Sequence, residues 1–153
     1  MKLLRFGPKG AEKPGLVDQQ GRVRDLSAVI DDVAGAALAP EGLARLAALD
    51  PASLPLAPEG ARIGPCVGRV GKFVAIGLNY ADHAAEAGLA LPVEPILFMK
   101  ATSCINGPDD DVVLPRGSVK TDWEVELGFV IGSEARYVSR AAALDHVAGY
   151  CLV

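Results

Sequence analysis

The sequence predicts an α+β protein that is mostly β, with short helices between the strands. Short apolar runs rich in β-branched and aromatic residues recur along the chain and end at Gly or polar residues, which is typical of strands. A proline-rich stretch over residues 49–65 breaks both helical and strand periodicity. It predicts a boundary between a small N-terminal α/β domain with its linker, residues 1–65, and a second domain, residues 66–153.

The N-terminal domain is expected to contain a small β-hairpin followed by two helices. Apolar residues flank a polar turn that contains Gly21, which is the pattern of a hairpin, and an alanine-rich run and a proline-initiated segment follow. The expected elements are the strands Lys2–Phe6, Gly15–Asp18 and Arg22–Leu26, the turn Gln19–Gly21, a helix after Leu26 that runs through Asp31 and Asp32 into the alanine-rich run, and a helix over Pro40–Leu49.

The second domain is expected to alternate strands with short helices. Gly77 ends one apolar run before a helix, and Ser139 is a suitable N-cap for another. Because Trp123–Ile131 alternates at first and is then continuously apolar, it predicts a strand deeply inserted in a sheet. The expected strands are Lys72–Gly77, Ile96–Lys100, Trp123–Ile131 and Ala148–Val153, and the expected helices are Tyr80–Ala87 and Ser139–His146. A domain seldom ends in an apolar strand, so this sequence is expected to be truncated within its second domain.

Composition excludes several classes of partner. The 153 residues are half hydrophobic, with a net charge of -4 and scattered Lys and Arg, which disfavours nucleic acid and membrane surfaces. The three cysteines are far apart and form no C-x-x-C motif, so neither a disulfide framework nor a zinc site is expected. No signal peptide is evident. We therefore expect a cytoplasmic protein that binds a small molecule.

Two carboxylates, Glu124 and Glu126, lie two residues apart in the predicted strand Trp123–Ile131. Side chains at that spacing project from the same side of a strand, where the two negative charges repel. In an apolar setting the repulsion calls for a cation, and hard oxygen ligands select Mg²⁺, Mn²⁺ or Ca²⁺ over Zn²⁺. The alternative is a solvated strand face, which a bare E-x-E motif more often represents.

His83 and Glu86 are three residues apart on a predicted helix and share a face. A carboxylate beside an imidazole fixes its tautomer and suits it to deprotonate water. The alternative is an incidental pair on a helix surface. Lys100 ends a predicted strand, where its ammonium group is expected to hold a substrate carboxylate or an enolate oxygen, or else simply extends to solvent. The run Asp109–Asp111 is expected to be an acidic turn.

Four segments in this order resemble the fumarylacetoacetate hydrolase family: GLNYADHAAE, EPILFMK, DWEVELGFVIG and DHVAGYCLV, all within residues 72–153. Residues 1–65 resemble the variable N-terminal domain of bacterial members. The resemblance implies a catalytic domain with a rolled, mixed β-sheet, of which residues 66–153 form the N-terminal part, and it implies a homodimer.

The resemblance also implies a Mg²⁺ or Mn²⁺ ion held by three carboxylates. Two of them map onto Glu124 and Glu126, and the third would lie beyond Val153. The catalytic His–Glu pair of the family maps onto His83 and Glu86, and Lys100 matches the lysine of its F-x-K segment.

The activity implied is hydrolysis of a carbon–carbon bond in 2,4-dioxo acids through a metal-stabilised enolate. The family also contains hydratases, isomerases, decarboxylases and ureidoglycolate lyases, so the fold alone leaves the reaction open. Leu78 stands where acylpyruvate hydrolases often have Arg, which disfavours a simple acylpyruvate. The GLNYADHAAE segment, together with the start MKLLRFGPKG, most resembles bacterial members that cleave 2,4-diketo-3-deoxy sugar acids such as the L-fuconate derivative. A non-catalytic relative that binds a cation and a 2-oxo acid is a further alternative, although such a binder does not need His83 and Glu86.

Overall fold

A computed structural model describes the whole chain, from Met1 to Val153. It contains three separate sheets, one of three strands and two of two strands, and every strand pair is antiparallel. The strands are β1 (Lys2–Phe6), β2 (Lys13–Val17), β3 (Val23–Asp25), β4 (Phe73–Gly77), β5 (Ile96–Lys100), β6 (Leu127–Ile131) and β7 (Val147–Leu152), and the α-helices are α1 (Pro40–Ala47) and α2 (Ala81–Glu86). The predicted α+β class is confirmed, whereas the rolled, mixed sheet stays an expectation for the full-length domain.

The chain divides into two compact units. The first contains residues Met1–Arg69 together with Asn106–Val153, and the second contains Val70–Ile105. The second unit therefore holds β4, α2 and β5, and the first holds all other strands and α1. The domain boundary near residue 65 stays a prediction. Neither α-helix is long and apolar enough to cross a membrane.

The N-terminal hairpin extends into a three-stranded sheet in the order β1-β2-β3. Its second turn forms as predicted because the Asp18 carboxylate accepts hydrogen bonds from the backbone amides of Gln20 and Arg22, both at 2.9 Å. Gly21 lies in this turn with φ of 78°, a conformation that favours glycine. The proline-rich stretch then runs along this sheet, where Leu56 bridges to Arg24 and Ile63 bridges to Phe6.

The core of the first unit lies between this sheet, α1 and the inner face of the β6–β7 sheet. Val130 of β6 and Ala148 of β7 pack against it. Burying such side chains is the main source of stability, at about 25 cal/mol per Å² of apolar surface. The buried residues of this core are Leu16, Leu26, Ile30, Val33, Ala37, Leu38 and Leu46.

The prediction of a helix after Leu26 is wrong. The chain forms a turn there and only a short 3₁₀ helix, Gly35–Ala37. Val29 and Ile30 are β-branched, which lowers helix propensity, and Gly35 has φ of 51°, which interrupts a continuous α-helix through the alanine-rich run. In contrast, the predicted Pro40–Leu49 helix forms as α1, with Pro40 at its first position.

A network of ion pairs joins the N-terminal sheet to three later segments of the chain, which contain Asp32, Arg62 and Asp110. Arg5 binds Asp32 through Nε–Oδ1 at 2.7 Å and Glu12 through Nη2–Oε2 at 3.4 Å. Arg62 Nη1 donates to Glu12 Oε1 at 3.0 Å. Its Nε and Nη2 atoms donate to the two carboxylate oxygens of Asp110, each at 2.6 Å. These side chains are mostly buried, so each charge depends on its partner to offset desolvation.

The β6–β7 sheet has two different faces. Its inner face packs on the core, but alternate side chains on its outer face are largely exposed: Leu127, Phe129, Ile131, Tyr150 and Leu152. The prediction of a deeply inserted strand is therefore wrong for this chain, because only one face of β6 is covered. The segment before β7 is helical as predicted, but it is a 3₁₀ helix, Arg140–His146, capped by Ser139.

In the second unit, β4 and β5 pair from Phe73 opposite Lys100 to Gly77 opposite Ile96. The helix α2 follows β4 after a short turn and has one buried residue, Ala84. This arrangement confirms the predicted order of strand, turn and helix.

Candidate functional site

The five predicted site residues are divided between the two compact units. His83, Glu86 and Lys100 belong to the unit Val70–Ile105, whereas Glu124 and Glu126 belong to the other unit. Each group is therefore described within its own unit.

The predicted catalytic pair lies on α2. His83 and Glu86 are both exposed, and no hydrogen bond joins the imidazole to the carboxylate. The backbone amide of His83 donates to the carboxylate of Asp82 at 2.9 Å. The structure thus places the pair on one short helix, as the spacing predicts, without a direct contact between the two side chains.

The turn before α2 is strained. Leu78 has φ of 50°, in the left-handed region that favours glycine and costs an ordinary side chain about 1–2 kcal/mol. This residue connects the end of β4 to Asn79 and Tyr80, and Tyr80 is the N-cap residue of α2. Strain of this kind persists where the surrounding structure holds it, and it is often found beside functional residues.

Lys100 is the last residue of β5 and is partly buried, in contrast to the four strand residues before it, which are exposed. It lies opposite Phe73 in the ladder. A 3₁₀ helix, Thr102–Cys104, follows directly. The lysine therefore lies at a strand end, as the sequence predicts, and a turn with the hydroxyl groups of Thr102 and Ser103 follows it.

The strand that was predicted to carry the two carboxylates begins later than expected. β6 starts at Leu127, so Glu124 and Glu126 precede it. Glu126 nevertheless continues the pairing by one residue, because its amide donates to the Val153 carbonyl at 2.8 Å and its carbonyl accepts from the Val153 amide at 3.0 Å. The end of β7 thus fixes the backbone of Glu126.

The apolar setting predicted for these carboxylates is not present in this chain. Trp123 is 81% exposed and Val125 is 64% exposed, Glu124 is exposed and Glu126 is partly buried. The argument that desolvation requires a cation is therefore wrong here, because solvent reaches the segment. Two observations still favour a cation here: both side chains are carboxylates, and their spacing in the sequence is fixed.

The structure contains no group of three or more His, Cys, Asp or Glu side chains arranged to hold a metal ion. Mg²⁺ is often held by one or two carboxylates, with water and substrate oxygens completing its octahedral shell. Glu124 and Glu126 supply donors of that type. The predicted third protein ligand, beyond Val153, stays a prediction.

The acidic run Asp109–Asp111 forms a turn with a structural role, as expected. Hydrogen bonds from the guanidinium group of Arg62, and then from the Gly107 amide, hold the pKa of the Asp110 carboxyl well below its usual range. The sequence offers no local signal for this contact, because Arg62 and Asp110 are 48 residues apart.

A cavity of about 600 Å³ lies in the first unit. It is mainly apolar, and none of the five predicted site residues lines it. Its walls come from the N-terminal sheet, the core and the β6–β7 sheet, and they include two cysteines, Cys66 and Cys151. Sequence reasoning missed this pair because the two residues are far apart in the chain.

Comparison with known proteins identifies relatives over the whole chain. A Burkholderia multivorans protein is 65% identical and a Burkholderia ambifaria protein is 64% identical, each over all 153 residues. Both are named as hydrolases only provisionally and without a substrate. The matched region is 54% of each relative, so the chain spans about half the length of the curated relatives it matches.

Solved structures with similar folds carry related names. The chain resembles a fumarylacetoacetate hydrolase from psychrophilic Exiguobacterium antarcticum, with 29% identity and a TM-score of 0.74 over 99% of this chain and 54% of that one. It also resembles a Mycobacterium smegmatis protein provisionally named HpcE, with 32% identity and a TM-score of 0.70 over 97% of this chain and 53% of the other.

The family model described as fumarylacetoacetate (FAA) hydrolase C-terminal matches residues 72–153, which is more than half of the chain. The matched region includes all four sequence segments that carried the resemblance. The chain therefore belongs to the fumarylacetoacetate hydrolase family.

Proposed function

We propose that the intact protein is a hydrolase that cleaves a carbon–carbon bond in 2,4-dioxo acids with the help of a divalent cation. The observation that carries the proposal is the family match over residues 72–153, which spans all five predicted site residues. The hydrolase names of the Burkholderia relatives support the reaction class.

Glu124 and Glu126 are proposed to hold the cation, Mg²⁺ or Mn²⁺. When bound, this ion would supply a Lewis acid for the carboxylate and 2-oxo oxygens of the substrate. The two hydrogen bonds between Glu126 and Val153 support the assignment, since they hold the backbone of one ligand against β7.

His83 is proposed as the general base that takes a proton from the attacking water. Its position on the exposed side of α2 leaves the imidazole accessible to water and substrate. Glu86, three residues later, is proposed to accept the second ring N–H and so fix the tautomer. Since the two side chains are not in contact in this structure, the role requires a rotation about their side-chain bonds.

Lys100 is proposed to bind negative charge on the substrate. Its ammonium group is a point charge on a flexible stem, and its backbone is fixed at the end of β5. A partly buried lysine interacts more strongly with a carboxylate than a fully solvated one, because less water screens the pair.

In the proposed reaction, water adds to the 4-oxo carbon and the bond between C3 and C4 breaks. C4 leaves as a carboxylic acid, and C3 receives the bonding electron pair and then a proton, which gives a 2-oxo acid. Leu78, in place of the Arg of acylpyruvate hydrolases, disfavours a simple acylpyruvate, and the resemblance of the segments GLNYADHAAE and MKLLRFGPKG to sugar-acid members favours a diketo sugar acid as substrate.

The test is product analysis with the intact protein, Mg²⁺, and either 2,4-dioxopentanoate or a 2,4-dioxo sugar acid. We expect equal amounts of a 2-oxo acid and a second carboxylic acid. Release of the 2-oxo acid without a second acid contradicts the hydrolase and indicates a lyase, and loss or gain of water alone indicates a hydratase.

Two variants test the residue roles. His83→Ala is expected to lower kcat by about 10²–10⁴-fold, because proton transfer to a positioned base contributes that much. His146→Ala is the matched control, since His146 is the other histidine of the chain and bonds Ser133 instead. Normal turnover by His83→Ala would overturn the assignment of the base.

Glu126→Gln is expected to raise the Mg²⁺ concentration needed for half-maximal activity.

A further inference from the structure

Two of the three cysteines line the same cavity. Cys66 follows the proline-rich stretch, and Cys151 lies in β7. Both are partly buried and carry free thiols. The third, Cys104, is exposed and belongs to the other compact unit. The fold thus brings together two thiols that are 85 residues apart in the sequence.

The Cys151 thiol lies on the inner side of β7 and is not shielded by the neighbouring strand. Its partner across the ladder is Gly128, which has no side chain. A Cβ atom at Gly128 would lie 3.0 Å from Cys151 Sγ, so any larger residue would crowd the thiol. The absence of a side chain at Gly128 leaves room for this sulfur, and Cys151 is one of the residues that line the cavity.

The two thiols are close enough to influence each other. Burial, and then the neighbouring Cys151 thiol, together raise the pKa of the Cys66 thiol to about 11. At neutral pH, Cys66 is therefore a neutral thiol beside a second sulfur.

The backbones that carry the two thiols are fixed. On either side of Cys66, the Gly64 amide donates to the Arg5 carbonyl at 2.8 Å and the Gly68 amide donates to the Val33 carbonyl at 3.0 Å. Cys151 is held within the β6–β7 ladder. Both segments are therefore held against the same core, on which Val67 and Ala148 also pack.

We propose that Cys66 and Cys151 form a reversible intrachain disulfide when the protein meets a peroxide oxidant. The bond would attach the segment that follows the proline-rich stretch to β7, two residues before the Val153 backbone that pairs with Glu126. The proposal is independent of the proposed catalytic activity.

The chemistry balances with one hydrogen peroxide for each pair. Because Cys66 is neutral, Cys151 is the sulfur that attacks a peroxide oxygen as its thiolate, the O–O bond breaks, and a sulfenic acid at Cys151 and water form. The second sulfur then attacks the sulfenic sulfur, the S–O bond breaks, and a second water leaves as the S–S bond forms. The two thiols lose two electrons and two protons, and the peroxide is reduced to two molecules of water.

The first experiment counts free thiols in denaturant after treatment of the intact protein with hydrogen peroxide, and maps its peptides by mass spectrometry. We expect a peptide pair joined through Cys66 and Cys151, lighter by two hydrogens than the separate peptides. Dithiothreitol should separate the pair and restore both thiols. The closed loop is long, so oxidation is also expected to raise the melting temperature by about 5–10 °C.

The matched comparison uses Cys104→Ser, which removes the exposed thiol and with it most disulfide exchange between molecules. In that background the linked peptide should persist, whereas further replacement of Cys66→Ser should abolish it.

The proposal is overturned if the wild-type map shows both thiols intact under conditions that oxidise Cys104, or shows either one joined to Cys104. It is also overturned if both become sulfinic acids without linking. Because these outcomes are read on the wild-type protein, they hold even if a variant does not fold.

Discussion

At the residue scale, Gly42 shows how packing overrides intrinsic propensity. It lies inside α1, where replacement of Gly by Ala ordinarily stabilises a helix by about 1 kcal/mol. Here a Cβ atom would collide with the backbone carbonyl groups of Ala36 and Ala37 in the adjoining 3₁₀ helix. These are main-chain atoms of a packed segment, so they cannot rotate away.

We therefore predict that Gly42→Ala destabilises the intact protein, by about 1–3 kcal/mol, because overpacking forces backbone shifts. Chemical denaturation monitored by circular dichroism measures the change. Ala44→Gly, at an exposed position of the same helix, is the control and should cost about 1 kcal/mol through propensity alone. A more stable Gly42→Ala variant would mean that α1 does not contact the preceding segment in this way.

Asp18 provides a second residue-scale prediction, about pH. Burial alone would raise the pKa of Asp18, but hydrogen bonds from the amides of Arg22 and Gln20 and from the Arg24 and Arg22 guanidinium groups outweigh it and lower the pKa to about 2. An unfolded aspartate has a pKa of about 3.9. The native state therefore gains stability from this carboxylate above about pH 4, and that gain is lost as pH falls toward 2.

Asp18→Asn should lower the melting temperature at pH 6 and have a smaller effect near pH 2, where the wild-type carboxyl is becoming protonated. Differential scanning calorimetry over this range measures the difference. Asp31→Asn is a suitable control at an exposed site. If the Asp18→Asn and wild-type curves stay parallel down to pH 2, the depressed pKa is not what stabilises this turn.

At the element scale, the sequence predicts strands well where a run of apolar residues is bounded by Gly or a charge. β1 and β5 have the predicted bounds, and β4 differs by one residue. β6 is different because its start depends on its partner: pairing with β7 reaches back only to Glu126. The sequence at Trp123–Val125 fits a strand, but β7 offers no further residue of this chain with which to pair.

Prediction of the candidate site has the same limit, because the sequence shows local spacing and not contacts between distant residues. Sequence spacing identifies His83 with Glu86, and Glu124 with Glu126, since each pair depends only on local geometry. Contacts between distant residues, such as Arg62 with Asp110, leave no periodic signal and require the fold.

The 3₁₀ helix Arg140–His146 gives the element-scale prediction. The Ser139 side chain caps it by accepting from the Ala142 amide at 3.3 Å. Ser139→Ala should cost about 0.5–1 kcal/mol, because one amide of the first turn loses its partner. Ser139→Asp keeps an acceptor and should retain most of the stability. Equal losses in both variants, measured by urea denaturation, would show that the hydroxyl does not act as a cap.

At the scale of the whole molecule, the main feature is the apolar surface that the β6–β7 sheet exposes on its outer face. On the β6–β7 sheet, Phe129 is 59% exposed and its cross-strand partner Tyr150 is 62% exposed, with further apolar side chains beside them. Contiguous apolar patches of this kind are uncommon on isolated soluble proteins and usually mark a surface that another structure covers. The curated relatives are almost twice as long as the region that they share with this chain.

We predict that the 153-residue chain, produced alone, associates with itself through this face, because covering apolar surface releases about 25 cal/mol per Å². Sedimentation velocity should show association that increases with concentration, and Phe129→Lys should reduce it by placing a charge in the patch. Val119→Lys is the matched control, since Val119 is also exposed and apolar but lies outside the sheet. If both substitutions reduce association equally, net charge and not this face controls it, whereas a concentration-independent monomer would show that the exposed face does not drive association.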